Sequence, residues 1–278
     1  MPHMLRALLN KLGAPNAVAI PEASWDANLA ALPFVARLDA GERARLRELA
    51  SRFLAEKEMS GADGLELTAA IQVNIAMQAC LPVLNLGLEW YRGWVGVIVY
   101  PSEFVVPRRI VDHDSVVHEF DDALAGEAWD GGPVLLSWDD ARAASAEGYG
   151  TSVAIHEFTH KLDMLNGEPN GQPPFDARLH AGLRPREWRA VLDEAFARLN
   201  AELDLIEAEI PADLDPASAD ADRYFAALPL DPYAAQDEAE FFAVSSEAFF
   251  VAPARLRDAF PAWYDVLAQF FRQDPLAR

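Results

Sequence analysis

The segment richest in residues that could do chemistry spans positions 153–167, VAIHEFTHKLDMLNG, and contains His156, Glu157 and His160. Residues four apart share one face of an α-helix, so the two imidazoles can reach a common metal ion while Glu157 projects beside them. This H-E-x-x-H spacing is typical of metal-dependent peptide hydrolysis, in which the carboxylate acts as a general base. We therefore predict a metal site on this helix, with zinc as the ion.

A surface helix whose histidines pair with nearby carboxylates is the alternative explanation of the same pattern. Glu157 is the only acidic or basic residue other than histidine in positions 153–160, which favours a buried active-site helix. Lys161, directly after the second histidine, argues the other way, because lysine is almost never fully buried without a partner. Asn166 and Gly167 predict the end of this helix.

A catalytic zinc ion takes three protein ligands and leaves its fourth position to water, so a third ligand must exist. An extended motif with a third histidine six residues after the second does not occur here, because those positions hold Asp163 and Asn166 where glycine and histidine would be needed. The missing ligand must therefore come from elsewhere in the chain, and a carboxylate on a later helix is the simplest choice.

Two carboxylates in the segment DPYAAQDEAEFFAVSSEAFF, positions 231–250, are candidates for that ligand. Glu240 and Glu247 lie seven residues apart and therefore face the same side of a helix. A carboxylate among so many aromatic residues needs a partner, because burying it unpaired is costly. Glu240 has a second explanation, as the third helical residue of a capping box that begins at Asp237. Spacing leaves the choice between the two glutamates open, and Asp163 is a candidate for orienting one histidine.

Three other histidines and the single cysteine are predicted to play no part in the site. His113 and His118 lie in an acidic segment, and His180 lies in a loop rich in glycine and proline, so we expect all three to be solvated. Cys80 is the only cysteine, which excludes an internal disulfide and a cysteine-rich metal site within one chain. Its apolar helical surroundings predict a small core residue.

Helices and a central group of strands must position these residues. Hydrophobic spacing predicts helices over residues 39–60, 67–79, 153–165, 185–206, 237–251 and 255–271, with Asp39 as an N-cap. Strands are predicted over residues 94–100, 104–106, 116–117 and 133–138, and residues 211–232 read as a long loop. The strand over 133–138 is either a core strand, which we favour, or an open edge for an extended peptide. A mixed sheet followed by a helical half is an α+β fold.

Length, composition and charge restrict the class of protein. The 278 residues include 23 basic and 44 acidic side chains, a net charge of −21, and 51% are hydrophobic. This is globular composition, and the lack of a basic cluster argues against direct binding to nucleic acid. Residues 1–22 are predicted to form a helix and linker rather than a signal peptide, with residues 23–278 as a single domain. No apolar stretch is long enough to span a membrane, so we expect a cytoplasmic protein.

Three segments together resemble the Mlc titration factor A family of zinc metallopeptidases, whose catalytic half is similar to that of anthrax lethal factor. They are HEFTHKLDMLNG at 156–167, DPYAAQDEAEFFAVSSEAFF at 231–250 and GLEWYRGWVGVIVYPSEFVV at 87–106. The resemblance spans nearly the whole chain and is far more specific than the H-E-x-x-H pattern. It implies a zincin-like metallopeptidase fold, with a mixed sheet in the middle of the chain and the metal site in the helical C-terminal half.

The resemblance also implies roles for individual residues. His156, His160 and Glu240 would hold one Zn²⁺ per chain, and Glu157 would be the general base. Tyr233 would be a catalytic residue that donates a hydrogen bond to the developing oxyanion. Considered without the resemblance, Tyr233 would be a turn residue packed on the phenylalanines. The stretch over 205–230 is longer than the usual connection between the two motif blocks.

Two functions follow as expectations. The first is a zinc peptidase, for which the resemblance implies aminopeptidase-like cleavage of short peptides, with Glu247 contributing to binding of the substrate's α-ammonium group if it faces the cleft. The second, which also comes only from the resemblance, is a regulatory protein that binds a glucose-responsive transcriptional repressor, Mlc, with the zinc site secondary. The expected partners are a peptide substrate and a transcriptional repressor, without direct contact to nucleic acid or membrane.

Overall fold

A computed structural model describes residues 17–111, 117–145, 148–211, 213–215, 218 and 220–278, the side chains of 106–111 and 117–123 excepted. Most of the predicted N-terminal segment over residues 1–22 lies outside these ranges. The first described helix, α1, spans Glu22–Ala31 and is followed by the short helix α2 at Pro33–Ala36.

Helices α3 (Ala40–Glu56) and α4 (Ala69–Cys80) confirm the first two predicted helices, except that residues 58–60, predicted as the end of the first helix, belong to a strand at Glu58–Gly61. A capping box starts α3: the Asp39 side chain accepts from the backbone N–H of Glu42, and the Glu42 side chain accepts from the backbone N–H of Asp39. The hydroxyl of Thr68 caps α4 by accepting from the backbone N–H of Ile71. Cys80, the last residue of α4, is fully buried, which confirms its predicted place in the core.

The central sheet is mixed and has the strand order β1-β2-β6-β5. Its strands are β1 (Glu58–Gly61), β2 (Gly96–Tyr100), β5 (Gly126–Ala128) and β6 (Val134–Ser137), while β3 (Phe104–Val111) and β4 (Val117–Leu124) form a separate antiparallel hairpin. The first three strands in the sheet order are parallel, and β5 runs antiparallel to β6. The strand predicted over 133–138 is therefore an interior strand, as favoured, and β5 is the edge beside it.

The second half of the described chain is helical. Its helices are α5 (Trp138–Arg142), α6 (Val153–Asp163), α7 (Pro185–Glu207), α8 (Asp222–Phe225), α9 (Glu238–Val251), α10 (Pro253–Ala259) and α11 (Pro261–Phe271). A 3₁₀ turn at Met164–Asn166 follows α6, and Gly167 then takes a φ of 135°, close to the predicted helix end. Pro261 divides the predicted helix over 255–271 in two, because proline cannot donate a backbone hydrogen bond to the preceding turn.

One continuous hydrophobic core joins both halves and places α6 directly against α9. Aromatic rings fill the far side of α9, where Phe242 packs edge-to-face on Trp188 at 5.5 Å between ring centroids. Trp188 in turn packs on Trp263 of α11 at 4.8 Å. These contacts hold α9 from the side opposite α6. In the part of the chain that the structure describes, none of the helices combines the length and apolarity needed to cross a bilayer.

His180 is buried, contrary to the expectation that it is solvated. It is 4% exposed and stacks on Phe270 at 5.1 Å between ring centroids. Its Nδ1 accepts from the backbone N–H of Asp176 at 3.0 Å, and its Nε2 donates to the carbonyl of Phe270 at 2.9 Å. The contact at Nδ1 requires the neutral ring, because that nitrogen accepts, and burial lowers the pKa of His180. His118 belongs to β4, and His113 lies outside the described residues.

Candidate metal centre

Helix α6 brings two imidazoles together inside the protein. The hydroxyl of Ser152 caps the helix by accepting from the backbone N–H of Ile155 at 3.2 Å. His156 and His160 are 9% and 8% exposed, and their Nε2 atoms lie 3.1 Å apart. Because nearly the whole helix is buried, the alternative of a solvated surface helix does not apply.

Helix α9 adds the carboxylate of Glu240 to this pair. Its Oε2 lies 3.0 Å from Nε2 of His156 and 3.3 Å from Nε2 of His160. Asp237 caps α9 by accepting from the backbone N–H groups of Ala239 and Glu240. The capping explanation of Glu240 is thus half right, because its backbone is capped while its carboxylate lies beside the two histidines.

The three converging atoms fit a zinc ion. Oε2 of Glu240 is buried and has no hydrogen-bond partner among the described residues, although two imidazole nitrogens lie beside it. A tetrahedral zinc ion with ligands at roughly 2.0–2.1 Å separates neighbouring ligand atoms by about 3.3 Å. The observed separations of 3.0, 3.1 and 3.3 Å are close to that value. His156, His160 and Glu240 are therefore a donor set of the composition and spacing that zinc uses.

Glu247 lies on the other side of the His156 ring. Its Oε1 is 2.8 Å from Nδ1 of His156, and its Oε2 accepts from the backbone N–H of Ser152 at 2.5 Å. A carboxylate can only accept here, so Nδ1 carries the hydrogen, and in the neutral ring the lone pair of Nε2 points toward Glu240 and His160. Both oxygens of Glu247 are engaged. The expectation that it contributes to binding a substrate's α-ammonium group was therefore wrong.

Positive charge is strongly favoured at the ring between these two carboxylates. Burial by itself lowers the pKa of His156, but contact with Glu240 and Glu247 outweighs burial and raises that pKa well above its ordinary value. Burial also acts against ionisation of Glu240, yet the two imidazoles bring its pKa well below the usual range. A cation among the three side chains satisfies the same electrostatic demand.

Glu157 lies beneath the edge strand β5. It is 4% exposed, and burial raises its pKa to about 6. A Cβ atom at Gly126 of β5 would lie 2.6 Å from Oε1 of Glu157, so a side chain at this position would displace the Glu157 carboxylate. Sequence reasoning missed Gly126, although glycine inside a strand is a known sign of close approach by another group.

A cavity of about 230 Å³ joins these groups to solvent. Its lining includes β5, the two histidines, Glu157 and Tyr233. Tyr233 lies in a 3₁₀ turn at Pro232–Ala235, and its ring centroid is 6.0 Å from that of His156. The ring is 47% exposed, so Tyr233 is a turn residue, as the alternative explanation expected, and it lies at the wall of the cavity.

The two charged residues that follow the histidines on α6 form hydrogen bonds with the backbone of neighbouring loops. Lys161 is 3% exposed and donates to the carbonyls of Trp129 and Gly132, in the turn between β5 and β6. Oδ2 of Asp163 accepts from two backbone N–H groups in the loop at residues 170–171. Asp163 makes no hydrogen bond to either histidine, so its predicted orienting role was wrong, and Glu247 makes the contact to His156 instead.

Comparison with known proteins gives one consistent result. The glucose-regulated metallo-peptidase M90 family matches residues 9–272, a range that contains α6 and α9 in full. Mlc titration factor A of Klebsiella pneumoniae is 38% identical over 258 residues, which cover 92% of this chain and 88% of that protein. Mlc titration factor A of Salmonella arizonae is 38% identical over 255 residues, covering 91% and 92% respectively.

We expect Glu240→Ala to lower the zinc content of the purified protein, because one of three ligands is removed. The loss of affinity should exceed the roughly 10–100-fold that removal of an outer hydrogen-bond partner costs. Elemental analysis of protein purified without added metal measures the stoichiometry, with His156→Ala as a second ligand variant. Glu238→Ala is the matched control, because Glu238 lies on the same helix and pairs with Arg189. Full zinc content in Glu240→Ala would exclude Glu240 as a ligand.

Proposed function

The chain belongs to the glucose-regulated metallo-peptidase M90 family, and from that premise we propose that it is a zinc-dependent peptidase. One observation carries the proposal. Three ligand atoms from two helices, contributed by His156, His160 and Glu240, converge at the wall of a cavity that opens to solvent. Zinc is the ion best suited to two imidazoles and one carboxylate that leave a position free for water.

In the proposed mechanism, each catalytic side chain acts at a defined atom. When bound, zinc lowers the pKa of a coordinated water and polarises the substrate carbonyl. The carboxylate of Glu157 accepts the proton of the attacking water and passes it to the leaving nitrogen. Its pKa of about 6 makes it a stronger base than an ordinary glutamate while leaving it ionised at neutral pH. The Tyr233 hydroxyl donates to the oxyanion that develops on the substrate.

We propose in addition that the fold is zincin-like, which is a narrower statement than α+β. The arrangement of α6 supports it, because the helix with both histidines packs beneath the edge strand β5. A second helix, α9, supplies the third ligand from the side. β5 is the last strand in the sheet order and its residues line the cavity, so an extended peptide can add to its outer edge by main-chain hydrogen bonds.

Removing the catalytic groups should separate metal binding from hydrolysis. Glu157→Gln is expected to keep one zinc ion per chain and to lower kcat by about 10²–10⁴-fold, because only the base is removed.

Tyr233→Phe should also keep zinc and slow turnover by about 10²–10³-fold. For both variants, the rate of peptide cleavage and the metal content of the protein are measured. An unchanged rate in Glu157→Gln would refute the proposed base, and an unchanged rate in Tyr233→Phe would make that residue a packing residue.

We propose that the substrates are short peptides cleaved from their amino terminus. The acidic balance of the chain supports this, since Glu127 and Asp237 line the same cavity and a negative wall attracts an α-ammonium group. A free peptide should therefore be cleaved faster than its N-acetylated form, which lacks that charge. The ratio of the two kcat/KM values is the measurement. Equal values would remove the aminopeptidase part of the proposal and leave the peptidase intact.

We propose a regulatory role as well, because the relatives are named Mlc titration factor A. In this role the chain binds a glucose-responsive repressor of the Mlc type in the cytoplasm, where such a repressor acts. The Glu157→Gln variant discriminates the two activities. Retention of a purified repressor by this inactive variant would favour binding without proteolysis as the regulatory event. Failure of both the wild-type protein and the variant to bind it would exclude the repressor as a partner.

A further inference from the structure

A chain of buried polar side chains connects the N-terminal helices to the metal centre. Five of its members are nearly inaccessible to solvent, with exposures of 0–7%, and they join four separate parts of the fold. In order along the chain of contacts they are Asn28, Asn74, Gln78, Ser152 and Glu247, which then reaches His156. Such groups are costly in a core unless each is satisfied, so a continuous run of them calls for a reason.

The hydrogen bonds between the side chains of this run all have the same direction, because each group donates to the next one on the way to Asn28. The amide of Asn74 donates to Oδ1 of Asn28 at 2.8 Å, and the amide of Gln78 donates to Oδ1 of Asn74 at 2.7 Å. The hydroxyl of Ser152 donates to Oε1 of Gln78 at 2.7 Å. The same hydroxyl oxygen accepts from the backbone of α6, so the hydroxyl hydrogen has one place to go. The orientation of each group is therefore determined by its neighbours.

The run ends on the imidazole that the metal centre uses. The backbone N–H of Ser152 donates to Oε2 of Glu247, and Oε1 of Glu247 accepts from Nδ1 of His156. Gln78 lies in the middle of the run, between Asn74 and Ser152. Its amide also donates to the carbonyl of Ala141 at 2.9 Å. It thereby fixes Ser152 from outside the site, without touching any proposed ligand.

We propose that Gln78 is a positioning residue for the metal centre, acting through Ser152 and Glu247 to hold His156 with its Nε2 directed at Glu240 and His160. The proposal rests on the proposed zinc site. Asn74, one turn earlier on α4, accepts from the amide of Gln78. Asn28 of α1 accepts from the amide of Asn74 and donates to the carbonyl of Ala70 at 3.0 Å, and these two bonds join α1 to α4. The N-terminal helices thus contribute to zinc binding without supplying a ligand.

Zinc affinity of a conservative variant tests the proposal. Gln78→Met keeps the length and helix propensity of the side chain but removes its amide, and it should weaken zinc binding about tenfold, as loss of an outer partner does. Competition with a zinc-chelating indicator dye measures the affinity, and the thermal midpoint measures stability. Ser245→Ala is the matched control, because Ser245 is buried on α9 and bonds to Trp263 outside the run. It should lose stability while keeping the wild-type zinc affinity.

A double variant tests the route of the effect. If Gln78 acts through Glu247, then Gln78→Met should cost little further zinc affinity in a chain that already carries Glu247→Gln. A full and additive loss in the double variant would show that Gln78 acts by another path and would overturn the proposal. If Gln78→Met does not fold, Ser152→Ala breaks the run at the next contact and takes its place in the same comparison.

A measurement on metal-free protein keeps this proposal distinct from the proposed zinc site. Nitrogen-15 NMR of the histidine rings reports how fast the Nδ1 hydrogen of His156 exchanges with water. We expect faster exchange in Gln78→Met than in the wild-type protein, and no change in Ser245→Ala. A wild-type chain that binds no zinc would refute the metal centre, and this exchange would still decide the positioning role. Wild-type exchange and wild-type zinc affinity in Gln78→Met would overturn the proposal.

Discussion

Three potential ligand atoms within 3.3 Å of one another are the constraint on which the rest of this structure depends. Groups that carry lone pairs repel at such distances, and burial strengthens the repulsion because little water remains to screen it. The arrangement persists only if positive charge lies among the atoms and if the helices that carry them cannot move apart. A cation supplies the first condition, and the aromatic packing behind α9 supplies the second.

The two glutamates of α9 contact different nitrogens of the same imidazole ring, that of His156. Glu240 faces Nε2 of His156 together with His160, whereas Glu247 holds Nδ1 from two helical turns further along. An imidazole can present one nitrogen to a metal only while the other keeps its hydrogen, so both contacts are required at once. The seven-residue spacing of the glutamates matches this demand, because it places both carboxylates on the face of α9 that packs against α6.

This geometry explains how far the sequence could predict the site. The H-E-x-x-H pattern identified His156 and His160 because helical periodicity is local. Spacing could not choose between Glu240 and Glu247, since both belong to the same face and differ only in which ring nitrogen they approach. The family resemblance favoured Glu240, which is the glutamate found beside both histidines. Asp163 was assigned the orienting role that Glu247 fills, because the contact between α6 and α9 is tertiary and leaves no local pattern.

The fold shows the same division between local and tertiary signals. Helix α3 was predicted with its N-cap because Asp39 and the buried stripe are encoded within a few turns. The strands β1 and β5 were missed, since four and three residues are too short for an alternating pattern and depend on pairing with β2 and β6. His180 was wrongly expected to be solvated, because a segment rich in glycine and proline indicates a loop but does not reveal that aromatic rings enclose it. Short elements and burial are decided by tertiary contacts.

The edge strand shows why the active-site helix carries a lysine in its interior. Lys161 ties the turn after β5 to α6, and Gly126 lets β5 come down onto Glu157 without a side chain between them. A lysine buried at this depth has its pKa lowered to about 8, so most of its charge is retained at neutral pH and the two carbonyls must compensate for lost water. This unfavourable burial of a charged side chain occurs directly after His160. Helix α6 therefore carries His156, Glu157 and His160 together with contacts that hold the neighbouring strand β5 at the cavity wall.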